Sequence, residues 1–194
     1  DNEKSNAERV AAIALPHDWL SWQLSGAHNL NSLFTDRSDA SGTGYFDSVK
    51  NEYCRDIFAT ALRSQREVIL PKIIAPNSCG GETSKGVPIA AGAGDNAGAA
   101  LGLGAGVGDL VISLGTSGTA FAVSSSSTHD PSGEVAGFAD ATGNFLPLAC
   151  TLNAAKIFNT VATTLGISFE EFSSLALNAP TGAEGLRIIP HFDG

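Results

Sequence analysis

This chain is expected to fold as an α/β protein, on three grounds. Helical and strand-like stretches alternate along most of its 194 residues. The apolar run Val87–Ala91 meets a glycine turn, Gly92-Ala93-Gly94, and then a helix of small residues, Asn96–Leu103. Two further apolar runs, 109–114 and 119–123, flank Gly115-Thr116-Ser117-Gly118. That pair predicts an antiparallel hairpin, so the sheet is not a pure βαβ repeat.

Composition sets the outer limits. A chain that is 43% hydrophobic and 16% charged is globular rather than disordered. No apolar run approaches the ~20 residues of a membrane span, and no basic secretory leader opens the sequence. The net charge of −9 argues against nucleic acid as a partner, since that needs clustered Lys and Arg. Backbone N–H groups could still hold a phosphate locally. Cys54, Cys79 and Cys150 are odd in number and form no CxxC pair. A reducing cytoplasm fits them, as small buried apolar groups. The chain has no methionine, opens inside a helical pattern and stops at Asp193-Gly194. An internal piece of a longer protein is therefore expected.

In chain order, Ser5–Leu15 predicts a helix with Val10, Ile13 and Ala14 on one face. Pro16 separates it from a second helix, His17–Leu24, which stops at Ser25-Gly26. At that helix start, Asp18 suits a capping role. Asn31–Asp47 is rich in turn formers, and Asp36, Asp39, Ser41 and Thr43 are close together. The spacing fails the calcium-loop pattern, which favours a turn tied by side-chain to backbone hydrogen bonds. Ser48–Arg63 predicts an amphipathic helix, and 70–86 a loop or edge strand. After the central stretch, Ser124–Ser127 predicts a surface loop, Phe145–Cys150 a strand and Leu152–Leu165 a helix ending at Gly166. Ser168-Phe169-Glu170-Glu171 is a capping-box pattern for another helix, and Arg187–Pro190 predicts a final strand.

Two chemistries compete for the first glycine turn. Gly92, Gly94 and Gly98 form GxGxxxG between strand and helix, like a dinucleotide-binding turn of an NAD(P)-dependent oxidoreductase. Asp95, next to the second glycine, would then point its charge at the pyrophosphate. The second reading makes Asp95 the purpose of the turn. An aspartate accepts a proton from an alcohol as that alcohol attacks a phosphoryl group, and phosphoryl transfer needs mainly positioning and charge neutralisation besides. Asn96 suits a sugar hydroxyl, or else serves the local backbone. Gly115, Thr116 and Ser117 offer successive N–H groups and two hydroxyls, an anion nest and not a P-loop.

The stretch GAGDNAGAALGLGAGVGDLVISLGTSGTAFAV resembles the centre of the carbohydrate kinases related to glycerol kinase, the FGGY family. Residues 15–26 and Ser38-Asp39-Ala40-Ser41-Gly42-Thr43 match in order and spacing, and 189–194 resembles a later strand. Asp95-Asn96 and the 38–43 motif are most similar to the branch that acts on xylulose.

The resemblance implies an actin-like ATPase (ribonuclease H-like) fold, of which this chain is a fragment. Residues 1–106 would end the sugar-binding domain, and 107–194 would begin the ATP-binding domain. It implies phosphorylation of the terminal hydroxyl of a ketose, D-xylulose to D-xylulose 5-phosphate. Asp95 would be general base, Asn96 would touch the sugar, and Gly115, Thr116 and Ser117 would meet ATP phosphates. ATP and Mg2+ are the implied cofactors, with no metal ligand assigned in this chain. Sugar and ATP are the partners, without nucleic acid or membrane. Oligomeric state stays open, with a homodimer among the options.

The family's N-terminal Asp-x-Gly-Thr loop, upstream sugar contacts and adenine site are not among these residues. These 194 residues alone are thus expected to turn over little. His17 stands where relatives often carry lysine, and this difference is not expected to matter. A non-catalytic actin-like nucleotide-binding protein is the third reading.

Overall fold

A computed structural model describes residues 3–190. The chain divides into two units, residues 3–110 with 122–147 and residues 111–121 with 148–190.

The first unit opens with one helical turn, α1 (Lys4–Ala7). The chain then extends, which corrects the helix expected over 5–15. Ala12 bridges in parallel to Ile69, with Ile13 N–H donating to the Ile69 carbonyl and Ile69 N–H to the Ala11 carbonyl, both at 3.0 Å. Val10 and Ile13 pack against the buried cluster of Phe58, Val68 and Leu70. β-Branched residues with a strand partner at hand favour the extended form over a short helix.

Helix α2 (Pro16–Leu24) has Pro16 at a first-turn position, where a missing N–H is harmless. Asp18 accepts the Leu15 N–H at 2.9 Å, as its capping role predicts. Strand β1 (Phe34–Thr35) leads into the short helix α3 (Arg37–Ser41). Asp36 caps α3, its Oδ1 accepting from the amides of Ser38 at 2.7 Å and Asp39 at 3.1 Å. The ties predicted for this stretch are thus present, but they organise a strand and a helix rather than a plain turn.

The helix expected over 48–63 is only half there. Strands β2 (Phe46–Asp47) and β3 (Glu52–Tyr53) make an antiparallel hairpin, and α4 (Arg55–Leu62) follows. The Asp47 carboxylate takes the amides of Val49 and Lys50 at 2.9 Å each, and Asn51 adopts φ +60°. An aspartate that captures the amides two and three residues ahead offers the backbone a turn in place of a helix. Strand β4 (Lys72–Ile73) pairs in parallel with β1. Strands β5 (Cys79–Glu82) and β6 (Pro88–Ala90) pair antiparallel, and α5 (Asp95–Leu103) ends at Gly104 in the left-handed conformation.

The chain continues through β7 (Leu110–Leu114), β8 (Gly118–Ala122), β9 (Ala136–Ala139) and β10 (Phe145–Thr151), then α6 (Ala155–Leu165) and α7 (Phe169–Asn178). Only three residues join β7 to β8, far too few for a parallel crossover, so the predicted hairpin is present. In the second unit β8 pairs antiparallel with β10, Phe121 opposite Leu148. Helix α6 ends at Gly166 with φ +68°, and Ser168 caps α7 by accepting the Glu171 amide at 3.2 Å. Strand β9 was not foreseen. It belongs to the first unit, where the Ala139 amide donates to Ser41 Oγ at 3.0 Å and Ser48 Oγ donates to the Gly137 carbonyl at 2.9 Å.

Two further expectations fail. Residues 187–190 form no strand among the described residues, and Ile188 and Ile189 are exposed there. An apolar run becomes a strand only where a neighbour takes its hydrogen bonds. Cys79 and Cys150 are exposed rather than buried, and all three thiols are free. No helix among the described residues is long and apolar enough to cross a membrane.

Gly80 lies so close to the buried Phe34 ring that an added methyl group would overlap it. Gly80→Ala should therefore lower stability by roughly 1–3 kcal/mol, as overpacking does. Urea unfolding midpoints of the two proteins would check this.

Candidate functional site

The site is built where α5 begins. Gly92 adopts φ +87°, which a side chain would strain, and a Cβ there would come within 3.2 Å of the His17 ring. Gly94 is the N-cap of α5, and Asp95 and Asn96 open its first turn. Negative charge at that position complements the helix dipole. Asp95 is exposed and Asn96 half-buried. Asp95 Oδ1 accepts from the Asn96 amide at 2.7 Å and from Asn96 Nδ2 at 3.0 Å. One carboxylate oxygen is thereby held by its neighbour.

Ser38, Asp39, Asp95, Asn96, Phe138 and Leu146 help line a recess of about 100 Å³. That is smaller than the ~300–1,000 Å³ of an enclosed ligand pocket. It is a shallow recess beside Asp95 and Asn96.

Joined to the Gly94 turn is a charged cluster centred on His17, a residue not expected to matter. The Gly94 amide donates to Ser38 Oγ at 2.9 Å, and Ser38 Oγ donates to Asp36 Oδ1. The other Asp36 oxygen is 3.4 Å from His17 Nε2, which is also 3.3 Å from Asp18 Oδ1. His17 Nδ1 pairs with Asp39 Oδ2. Both Nε2 contacts are ion pairs without the alignment of hydrogen bonds, since neither Nε2 nor the facing oxygens have a hydrogen-bond partner. One half-buried imidazole thus faces three carboxylates, of which Asp18 and Asp36 are buried.

The charges settle accordingly. Contact with Asp36, then Asp39, raises the His17 pKa to about 10, against the opposing effect of burial. Burial pushes the Asp36 carboxyl up, but His17, Ser38 and the amides of Asp39 and Ser38 together hold it below the usual carboxylate range. Burial raises Asp18 above its ordinary value, and its hydrogen bonds and His17 only partly offset this. The sequence did hold a signal. Asp18, Asp36 and Asp39 are close along two helix starts, and Arg37, the nearest cation by sequence, turns instead to Asn51 Oδ1 and the Ser48 carbonyl at 3.0 Å each. That leaves His17 to balance them. His17, Asp36 and Asp39 also have the composition of a metal cluster. A doubly charged cation there would compete with an imidazolium that the same carboxylates already hold.

Gly115, Thr116 and Ser117 lie in the second unit and are exposed. Their turn is tied to the start of α6, the carbonyls of Gly115 and Thr116 accepting the amides of Ala155 at 2.9 Å and Ala154 at 3.0 Å. Gly118 is pressed against Ala154, where a Cβ would approach to 3.0 Å. The Gly115 amide donates to the Ser117 carbonyl at 3.0 Å. The nest drawn from sequence therefore has one of its three amides turned inward.

Residues 1–102 match the N-terminal domain of the FGGY family of carbohydrate kinases, and the chain belongs to that family. It accordingly has the actin-like ATPase fold. Among its relatives, the xylulose kinase of Streptomyces coelicolor is 45% identical over all of this chain, and that of Haemophilus influenzae 34% over 95% of it. The chain spans 39% of the length of each. The crystal structure of xylulose kinase from Bifidobacterium adolescentis superposes with a TM-score of 0.88 at 43% identity, covering 100% of this chain and 44% of that one.

The cluster predicts a pH dependence of stability. The His17 pKa is raised on folding, so its contribution is full below the unfolded value of 6.5 and is lost as pH rises through about 10. The depressed Asp36 contributes above its ordinary 3.8 and loses this as pH falls. Asp18 works in the opposite sense, its burial opposing folding as pH rises through 3.8. The stability difference between wild type and His17→Gln should thus be largest near about pH 5–6 and vanish above about pH 10. Thermal melting across that range checks it.

Proposed function

We propose that this chain is part of an ATP-dependent xylulose kinase, and that Asp95 is the general base. The reading rests on one observation above the others: an exposed aspartate at a helix start, held on one oxygen by Asn96. Its second oxygen is left to meet a substrate hydroxyl above the recess. In the reaction, Asp95 takes the proton of the terminal hydroxyl of D-xylulose as that oxygen attacks the γ-phosphorus of ATP. The phosphorus–oxygen bond to ADP breaks, giving D-xylulose 5-phosphate. Asn96 orients the base and contacts the sugar. Thr116 and Ser117 contact the ATP phosphates through amides and hydroxyls, with Gly115 shaping the turn. Mg2+ bound with ATP would offset phosphate charge, with no ligand for it assigned in this chain. Further walls of the sugar pocket would come from elsewhere in the polypeptide.

In the same reading residues 1–106 complete the sugar domain and 107–194 start the ATP domain, whereas residues 122–147 group with the first unit of the structure. A cytoplasmic setting and a homodimer are compatible with it. Family membership favours the kinase over an oxidoreductase built on GxGxxxG.

In the complete polypeptide, Asp95→Ala should lower D-xylulose phosphorylation by about 10²–10⁴-fold, the usual worth of a general base, with folding intact. A coupled assay of ADP release against a panel of ketoses and polyols measures this. Wild-type turnover in a folded Asp95→Ala protein would remove the base assignment. ATP binding without phosphorylation of any sugar would favour a non-catalytic role.

A further inference from the structure

We propose that His17, acting through Asp36 and Ser38, is a positioning residue that sets the angle at which Asp95 leaves the glycine turn. The proposal rests on the kinase reading above for what the positioned group does, but its geometry stands independently.

The relay is continuous. His17 projects from the first turn of α2, and Asp18 from its own helix and Asp36 and Asp39 from the start of α3 are the charged groups that face it. Asp36 is 4% exposed and Ser38 7%, so neither can replace a lost partner with bulk water at low cost. Asp36 presents one oxygen to His17 and the other to Ser38, including its amide and hydroxyl. Because Ser38 Oγ donates to Asp36, its lone pairs face the Gly94 amide, which it accepts at 2.9 Å. Gly94 is the residue immediately before Asp95. The same turn also rests on the cluster sterically, with Gly92 against the His17 ring and Gly94 within 3.6 Å of Asp39 for a Cβ.

If the imidazolium is removed, Asp36 becomes a buried carboxylate without its cation. Its remaining acceptor contacts tighten or it takes up a proton, and a protonated Asp36 no longer orients the Ser38 hydroxyl in one sense. The Gly94 amide then loses a fixed acceptor, and the first turn of α5 loses its anchor. Misplacement of a reacting group by about 1 Å can cost on the order of 10²-fold in rate.

The test uses the complete polypeptide, with hydrogen exchange at the Gly94 amide as a readout that does not depend on catalysis. His17→Gln and Ser38→Ala should each speed exchange at Gly94 by about tenfold or more, and His17→Lys should restore it, because lysine returns a cation to the same carboxylates. In kinetics, Ser38→Ala and His17→Gln should lower kcat by about 10–100-fold with KM for ATP unchanged. The double variant should be no slower than the slower single one, since both cut one relay. Unchanged Gly94 exchange in both single variants overturns the proposal. So does a raised sugar KM at wild-type kcat in Ser38→Ala, which would make Ser38 a sugar contact. Should His17→Gln fail to fold, Ser38→Ala and His17→Lys decide it. Asp95→Asn serves as the control for the kinase reading. If it retains wild-type turnover while Gly94 exchange still responds to Ser38→Ala, the base assignment fails and the relay stands.

Discussion

One half-buried imidazole among three carboxylates holds the functional end of the first unit together. Burying Asp18 and Asp36 side by side would be prohibitive without a compensating cation, because unpaired charge is poorly tolerated away from water. His17 supplies that charge from the first turn of α2 to the first turn of α3. Both helix starts are thereby fixed to each other, and the Gly92–Gly94 turn is laid across them. The short strands around it could not impose such order by themselves. Most are two to four residues long, and an apolar cluster of this unit gathers elsewhere, around Phe58, Val68 and Leu70.

Division of labour within the site follows from that arrangement. Buried groups hold charge and direction, while the proposed base is exposed. Asp36 and Ser38 are covered and tied to each other, whereas Asp95 is exposed and held on one oxygen by Asn96. Such an order suits a proton acceptor, which must be both aimed and accessible. In the second unit a similar economy applies on a smaller scale. The carbonyls of Gly115 and Thr116 point back at the α6 amides, so the turn spends part of its polar capacity on capping a helix.

Legibility of the structure in the sequence varied with the range of the forces involved. Helices α2, α5, α6 and α7 carry their own punctuation in Pro16, Asp18, Gly104, Gly166 and Ser168, and each was readable to within a few residues. The hairpin of β7 and β8 was readable from its glycine turn. Misreadings cluster where the deciding partner is distant. Val10–Ala14 has helical spacing, yet Ile69 offers it a strand edge. Residues 136–139 carry no strong strand pattern and become β9 among contacts that include Ser41 and Ser48. Asp47 broke a helix by a local hydrogen bond that periodicity alone does not register.

By itself, the sequence determined the α/β class and the family, and it singled out Asp95, Asn96 and the Gly115–Ser117 turn as the candidate residues. These are properties of local pattern: a glycine admits a positive φ, and a carboxylate beside it is visible at once. Only the tertiary structure decided what stands beneath them. His17, Asp36 and Ser38 are separated from Gly94 by at least 56 positions, and the contact between Ser38 and Gly94 spans that gap. An imidazolium held by neighbouring carboxylates depends on distances of a few ångströms and on the exclusion of water, and neither quantity is written in the order of the residues.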